Sequence, residues 1–195
     1  MQNFLCLLFF VALAATPVIA QRNIGEVRVE VDKNTIPIRV SASTPELNTL
    51  ALLAFNAHGR YKLVASGHAY DIRFTQAFAT EVRVDITKGL AATPVVSETV
   101  TGNTARNALL RAADVAVAKT SGLGLRGFFT ARLAFIGERT GKKEVYVSDL
   151  FLGEAKQVTR DRALALGPRW APDGSRVLYT SFYKSGFPDI FQIDL

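Results

Sequence analysis

Trp170-Ala171-Pro172-Asp173-Gly174 is the stretch that decides the fold of the C-terminal part of the chain. Proline presets φ, aspartate can accept a hydrogen bond from the backbone two residues on, and glycine reaches φ > 0 without steric cost. The run therefore reads as a tight turn. A short extended segment, Leu166-Gly167-Pro168-Arg169, precedes it, and a strand over Arg176–Phe182 follows. A second turn, Lys184–Pro188, leads to another strand, Asp189–Asp194. The same plan occurs once earlier: a strand over Arg132–Glu138, a turn at Arg139–Lys143 and a strand over Glu144–Asp149. Arg132 and Arg176 are 44 positions apart, and Asp149 and Asp194 are 45 apart. A period of roughly 40–45 residues, with several strands per unit, is the spacing of propeller blades.

Upstream of these strands the pattern changes. Thr44-Pro45-Glu46 carries a helix N-cap, a proline at the first position and an acid in the first turn, which predicts a helix to about Ala57 with Gly59 at C′. Leu47, Leu50, Ala51 and Ala54 share one face, and Leu52, Leu53 and Phe55 fill much of the rest, so the helix is expected to be covered on more than one side. Strands at Ile36–Val40 and Arg60–Val64 flank it, giving a β-α-β unit, with Pro37 placing the first at an edge or a strand start. Further strands follow at Ala69–Thr75 and Glu81–Thr87, with a weaker one at Thr93–Val100. A second helix is expected over Thr104–Lys119, with Leu109, Leu110, Ala113 and Val117 as its apolar stripe and Asn107, Arg111 and Asp114 opposite.

Residues 1–20 hold no charge; an apolar run, Phe4–Leu13, is followed by small residues ending at Ala20. This is the layout of a secretory signal peptide, cleaved after Ala20, and the run is too short for a membrane span. Cleavage would remove Cys6, which excludes disulfides, thiolate catalysis and cysteine metal sites from the mature chain. An exported periplasmic protein is the simplest reading. At 195 residues, 49% apolar and 21% charged, the chain suits one or two globular domains. The formal charge of +6 is scattered, with no basic run longer than Lys142-Lys143, and so points to a solvated surface rather than a nucleic-acid patch.

Little in the chain suggests catalysis. His58 and His68 lack the helical pairing or carboxylate cluster of a metal site, and no Gly-x-Ser-x-Gly elbow occurs. Gly122-x-Gly124-x-x-Gly127 fits the dinucleotide fingerprint formally, but a helix precedes it and a strand follows; it reads as a helix stop and a linker. No cofactor or metal is expected. Asp149 and Asp194 end equivalent strands and read as repeat residues, and Trp170 reads as packing between repeats. Ahead of the β-α-β unit lies the alternating run Glu26-Val27-Arg28-Val29-Glu30-Val31-Asp32, which can pair within its own domain or add to a partner's sheet.

These segments resemble the TolB family. Its blades carry a Trp-[Ser/Ala]-Pro-Asp-Gly turn, a strand ending Tyr-x-Ser/Thr, and an Asp-Ile-aromatic-x-x-Asp-Leu strand. Here these are Trp170, Ala171, Pro172, Asp173 and Gly174, then Tyr179-Thr180-Ser181, then Asp189–Leu195. Glu26–Asp32, Pro37–Val40, Lys119–Gly122 and Phe129–Phe135 are similar to the family's N-terminal arm and domain junction. The resemblance implies an α/β (α+β) N-terminal domain with an N-terminal arm over 21–127. The beginning of a β-propeller would follow over 128–195, with one complete blade and part of a second. It also implies a non-enzymatic periplasmic scaffold of the Tol-Pal envelope system. In that family the arm, here Glu26, Val27, Arg28, Val29, Glu30, Val31 and Asp32, meets the inner-membrane protein TolA, and the propeller meets the peptidoglycan-associated lipoprotein Pal. The alternatives are a propeller that gates a downstream serine peptidase, and a periplasmic peptide- or carbohydrate-binding module.

Overall fold

The computed structural model describes residues 35–122 and 128–195. The expected signal segment 1–20, the expected arm Glu26–Asp32 and the glycines Gly124 and Gly127 lie outside the described residues.

β1 (Ile36–Ala42), α1 (Pro45–Ala57) and β2 (Tyr61–Leu63) form the expected β-α-β unit, with β2 parallel to β1. β3 (Tyr70–Phe78) lies parallel on the other side of β1, and β4 (Glu81–Lys88) and β5 (Val96–Thr101) extend the sheet antiparallel. The five strands run in the order β2-β1-β3-β4-β5. Pro37 is the second residue of β1, which is an inner strand, so its missing N–H falls at the strand start and not on an edge.

Alternation decides the two faces. Ile38, Val40, Ile72, Phe74, Val82, Val84 and Ile86 are buried, while Arg39, Arg73 and Arg83 between them are exposed. The buried face is covered by α1 and by α2 (Ala105–Thr120), whose Leu109, Leu110, Ala113 and Val117 join the same core. Thr44 and Thr104 cap the two helices, accepting from Leu47 N at 3.3 Å and Asn107 N at 3.1 Å. Two helix expectations are revised. Gly59 is not in the left-handed region; α1 ends through His58, whose φ of −88° and ψ of 107° turn the chain straight into β2. Leu52 and Leu53 are 36% and 49% exposed, so α1 is covered on one side, by Leu47, Leu50, Ala51, Ala54 and Phe55.

Gly102, between β5 and α2, is there for space. A Cβ on it would sit 2.8 Å from the Ala108 Cα. Asp114, on the face of α2 opposite the apolar stripe, accepts from Phe129 N at 2.7 Å, Thr130 N at 3.1 Å and Thr130 Oγ1 at 2.7 Å. It pins the segment ahead of the next strands, and Phe129 enters the first core fully buried, edge-on to Phe55 at 5.3 Å.

The remaining strands form two antiparallel sheets of three. The first is β6 (Arg132–Gly137), β7 (Glu144–Asp149) and β8 (Lys156–Gln157). The second is β9 (Ala165–Trp170), β10 (Arg176–Ser181) and β11 (Asp189–Asp194), with β10 in the middle. One complete unit and part of another were expected; β8 is only two residues long, and the short segment before Trp170 is a strand in its own right. Pro168 is tolerated in β9 because β9 is an edge strand. A second core lies between the sheets: Val145, Ala165, Val177 and Tyr179 are buried, with Ala134, Ile136, Val147, Phe191 and Ile193 packed against them. Burial, followed by the neighbouring Asp161 carboxylate, pushes the Tyr179 hydroxyl up to about 12.

Candidate functional site

The turn between β9 and β10 has the geometry its residues dictate. Gly174 takes a φ of 69°, and its N–H donates to Ala171 O at 2.9 Å, closing the turn. The Asp173 carboxylate accepts from Ser175 N at 3.0 Å and Ser175 Oγ at 2.8 Å; these bonds hold it below the usual carboxylate range. Pro172 and Asp173 are exposed at the tip, and Ala171 N–H donates to Arg176 O at 2.9 Å to start the hairpin.

Trp170 does not point at solvent. It packs against the inter-sheet core, and its indole Nε1 is buried with no hydrogen-bond partner among the described residues. Arg132, at the start of β6 in the other sheet, lays its guanidinium 4.0 Å from the centre of the indole ring. The same guanidinium donates to the carbonyl oxygen of Gly174. One side chain of the first sheet therefore grips both ends of the Trp170–Gly174 turn in the second.

The register makes this grip part of a repeat. Arg132 stands opposite Asp149 across β6 and β7, and Arg176 stands opposite Asp194 across β10 and β11. The residues 44 and 45 positions apart in sequence thus occupy the same places in their sheets. The first sheet turns Ala134, Ile136 and Val147 toward the second. Their counterparts in the second sheet, Leu178, Thr180 and Gln192, lie on its outward face, where Leu178 and Ile190 are 38% and 79% exposed.

Asp149 also joins the first sheet to α2. Arg106 Nε donates to it at 2.6 Å and Arg106 Nη2 at 3.3 Å, and the amides of Phe151 and Gly153 donate at 2.7 and 3.2 Å. Burial alone would raise this carboxyl, but the Arg106, Gly153 and Phe151 hydrogen bonds outweigh it and leave Asp149 below its ordinary range. Gly153 lies directly under the Arg106 guanidinium, in space a Cβ would need. Beside this pair, Asn107, Arg132, Ser148 and Lys156 line a hollow of about 360 Å³ between α2 and the first sheet. Nothing in the spacing of Arg106 and Asp149, 43 residues apart, advertised this contact.

The two histidines are both buried. His58 sits among Tyr61, Phe128 and Phe129, its Nδ1 accepting from Arg60 N at 3.2 Å, and burial pushes its imidazole below the ordinary value. His68 lies on the other side of the sheet, below a group of arginines. Among the described residues no group of three or more histidines, cysteines and acids could hold a metal, and no helix is long and apolar enough to cross a membrane. The arm Glu26–Asp32, the one stretch with an expected partner role, lies outside the described residues.

No family model matches the chain. The Tol-Pal system protein TolB of Jannaschia sp. (strain CCS1) is 37% identical over 87 residues, 43% of this chain and 19% of that protein. The Tol-Pal system protein TolB of Desulfosudis oleivorans is 37% identical over 68 residues, 35% of this chain and 15% of its own length. A protein TolB homolog of Chlorobaculum tepidum matches to the same extent. The crystal structure of TolB from Acinetobacter baumannii superposes with a TM-score of 0.66 at 20% identity, covering 83% of this chain and 47% of that one. At that identity the likeness is one of fold, and it takes in most of the chain. The aligned segments amount to about a fifth of the curated relatives or less. Over the part that these proteins share with it, the chain is TolB-like.

Proposed function

We propose that this chain is a TolB-like component of a Tol-Pal envelope system that works by holding proteins together in the periplasm and not by catalysis. The observation that carries this reading is the coincidence of two facts. The sequence matches TolB proteins, and two three-stranded sheets repeat one residue plan in register, joined by the Arg132 grip on Trp170 and Gly174. In this reading the two stacked sheets belong to a β-propeller, whose faces and rims are suited to binding proteins. In this reading Trp170, Pro172, Asp173 and Gly174 are the fastening point between successive blades. Leu178 and Ile190 form the face onto which a further blade packs.

The arm Glu26–Asp32 contacts a TolA-like inner-membrane protein by strand addition, its backbone supplying affinity and Val27, Val29 and Val31 the apolar side. Blade surfaces contact a Pal-like lipoprotein anchored to peptidoglycan. Residues 1–20 direct export and are removed. The test is co-purification of a TolA-like protein from the native envelope with the full chain and with a chain lacking residues 21–32. Loss of the TolA-like protein on deletion, with the fold retained by circular dichroism, is the expected result. Equal recovery from both chains would refute the role of the arm.

A further inference from the structure

The open face of the five-stranded sheet, opposite the two helices, is not a uniformly solvated surface. Arg39, Asp71, Arg73, Arg83 and Asp85 of β1, β3 and β4 converge there around a hollow of about 460 Å³, walled on one side by the segment Gly89–Pro94. The charges are layered. The side chains of Asp71 and Asp85 are only 9% and 17% exposed, whereas those of Arg39, Arg73 and Arg83 are 48%, 63% and 51% exposed. The acids form the floor, and the guanidinium groups face whatever enters.

Each acid fixes an arginine without exhausting it. Arg39 donates through Nε and Nη2 to Asp71 at 3.1 and 2.6 Å, and Arg83 donates through Nε to Asp85 at 3.0 Å. Asp85 is itself held by Ser97 Oγ at 2.6 Å. Arg73 comes no closer to Asp71 than 3.8 Å, too far for a hydrogen bond. Among the described residues, Nη1 of Arg39, the terminal nitrogens of Arg83 and the guanidinium of Arg73 have no hydrogen-bond partner. A second observation points the same way. His68 lines the hollow at 8% exposure, and its Nδ1 finds no hydrogen-bond partner among the described residues. The hydrogen bond from Arg39 leads the forces that hold Asp71 below the usual carboxylate range, so Asp71 stays ionised and Arg39 stays placed.

We propose that this hollow binds a small organic anion through a carboxylate or phosphate group clasped by Arg39, Arg73 and Arg83. Three cations over two acids leave one positive charge in excess. Planar guanidinium edges suit oxyanions, and the volume is that of a small-molecule site. A cation would meet the arginines first and is disfavoured. The site is independent of the scaffold reading, since it involves neither the arm nor the blades.

The test is nuclear magnetic resonance of the full chain, following arginine Nε–H and histidine ring signals. Sodium phosphate is titrated in one arm and sodium succinate in the other, at constant ionic strength set with chloride. The expected result is saturable shifts at Arg39, Arg73, Arg83 and His68 with at least one anion. Saturation by phosphate alone identifies a phosphate ligand, and by succinate alone a carboxylate one. Arg73→Ala and Arg83→Ala each weaken that binding about tenfold, and Lys184→Ala, far along the chain in an exposed turn, leaves it unchanged. Among the described residues Arg73 anchors no other side chain by a hydrogen bond, so its variant keeps the fold even if the Arg83 variant does not. Shifts that never saturate, or saturation that survives the Arg73 substitution or falls equally with Lys184→Ala, would overturn the proposal.

Discussion

The two halves of this molecule solve the same problem with different means. Residues 35–122 bury one continuous core between a five-stranded sheet and two helices, with Phe55, Phe74 and Ile72 wholly excluded from water. The two small sheets share a smaller core built on Val145, Ala165, Val177 and Tyr179. They leave Tyr183, Phe187 and Ile190 between 61% and 79% exposed. A helix-covered sheet closes its own apolar face; a stacked sheet always presents a second face to something else. The first half is therefore self-sufficient, while the second is stabilised sheet by sheet through nearest-neighbour contacts.

The most damaging change should test that contrast directly. Phe74→Ala empties a fully buried ring position in the first core and should cost about 3–5 kcal/mol, read as a fall in the urea midpoint. Because Phe129 and Asp114 tie the small sheets to that core, their protection from hydrogen exchange should fall with it. Persistence of the sheets after the first half unfolds would show that the halves are energetically separate. Asp149→Ala comes next. It strips Arg106 of its partner and the Phe151 and Gly153 amides of their acceptor, at about 2 kcal/mol. Its pH dependence has a definite sign. The folded carboxyl lies below its unfolded value, so its stabilisation is full above the ordinary aspartate range and disappears as pH falls through the depressed folded value. A flat difference between wild type and variant across acid pH would contradict this.

Arg132→Ala should act more locally. Loss of the contact with the Trp170 ring and the Gly174 carbonyl should cost about 1 kcal/mol. The effect should be faster exchange in β9–β11, with β1–β5 unchanged. The smallest effect sharpens the contrast from the other side. His58 is buried among aromatic rings and its imidazole is lowered, so the folded state takes up its proton later than the unfolded chain. Stability should be complete above about pH 6.5 and decline as pH falls below it toward the depressed folded value. His58→Gln should flatten that slope in the first half, while leaving the exchange of β10 and β11 as it was.

What could be read from the residues follows the range of the forces involved. The β-α-β unit, the Thr44 cap and the equivalence of Arg132 with Arg176 and of Asp149 with Asp194 all come from local chemistry or from a repeat, and these are legible. The hydrogen bond between Arg106 and Asp149 and the pinning of Phe129 by Asp114 join residues whose spacing carries no pattern. Leu52 and Leu53 misled because an apolar side chain says only that burial is favourable, not that a cover exists. Gly59 misled because the helix leaves through an extended His58 and needs no left-handed residue. β8 escaped notice because two residues are too few to alternate. Arg39, Arg73 and Arg83 lie on three different strands, and only strand order gathers them.

Residues 132–195 carry one sheet plan twice, the two sheets sharing a core and fastened at the Trp170–Gly174 turn. Through-space proton contacts in the full chain test it most directly. Cross-strand contacts are expected between Arg132 and Asp149 and between Arg176 and Asp194, with Trp170 ring protons touching the Arg132 side chain. Strands paired in another register, or a Trp170 ring that contacts only its own sheet, would contradict it.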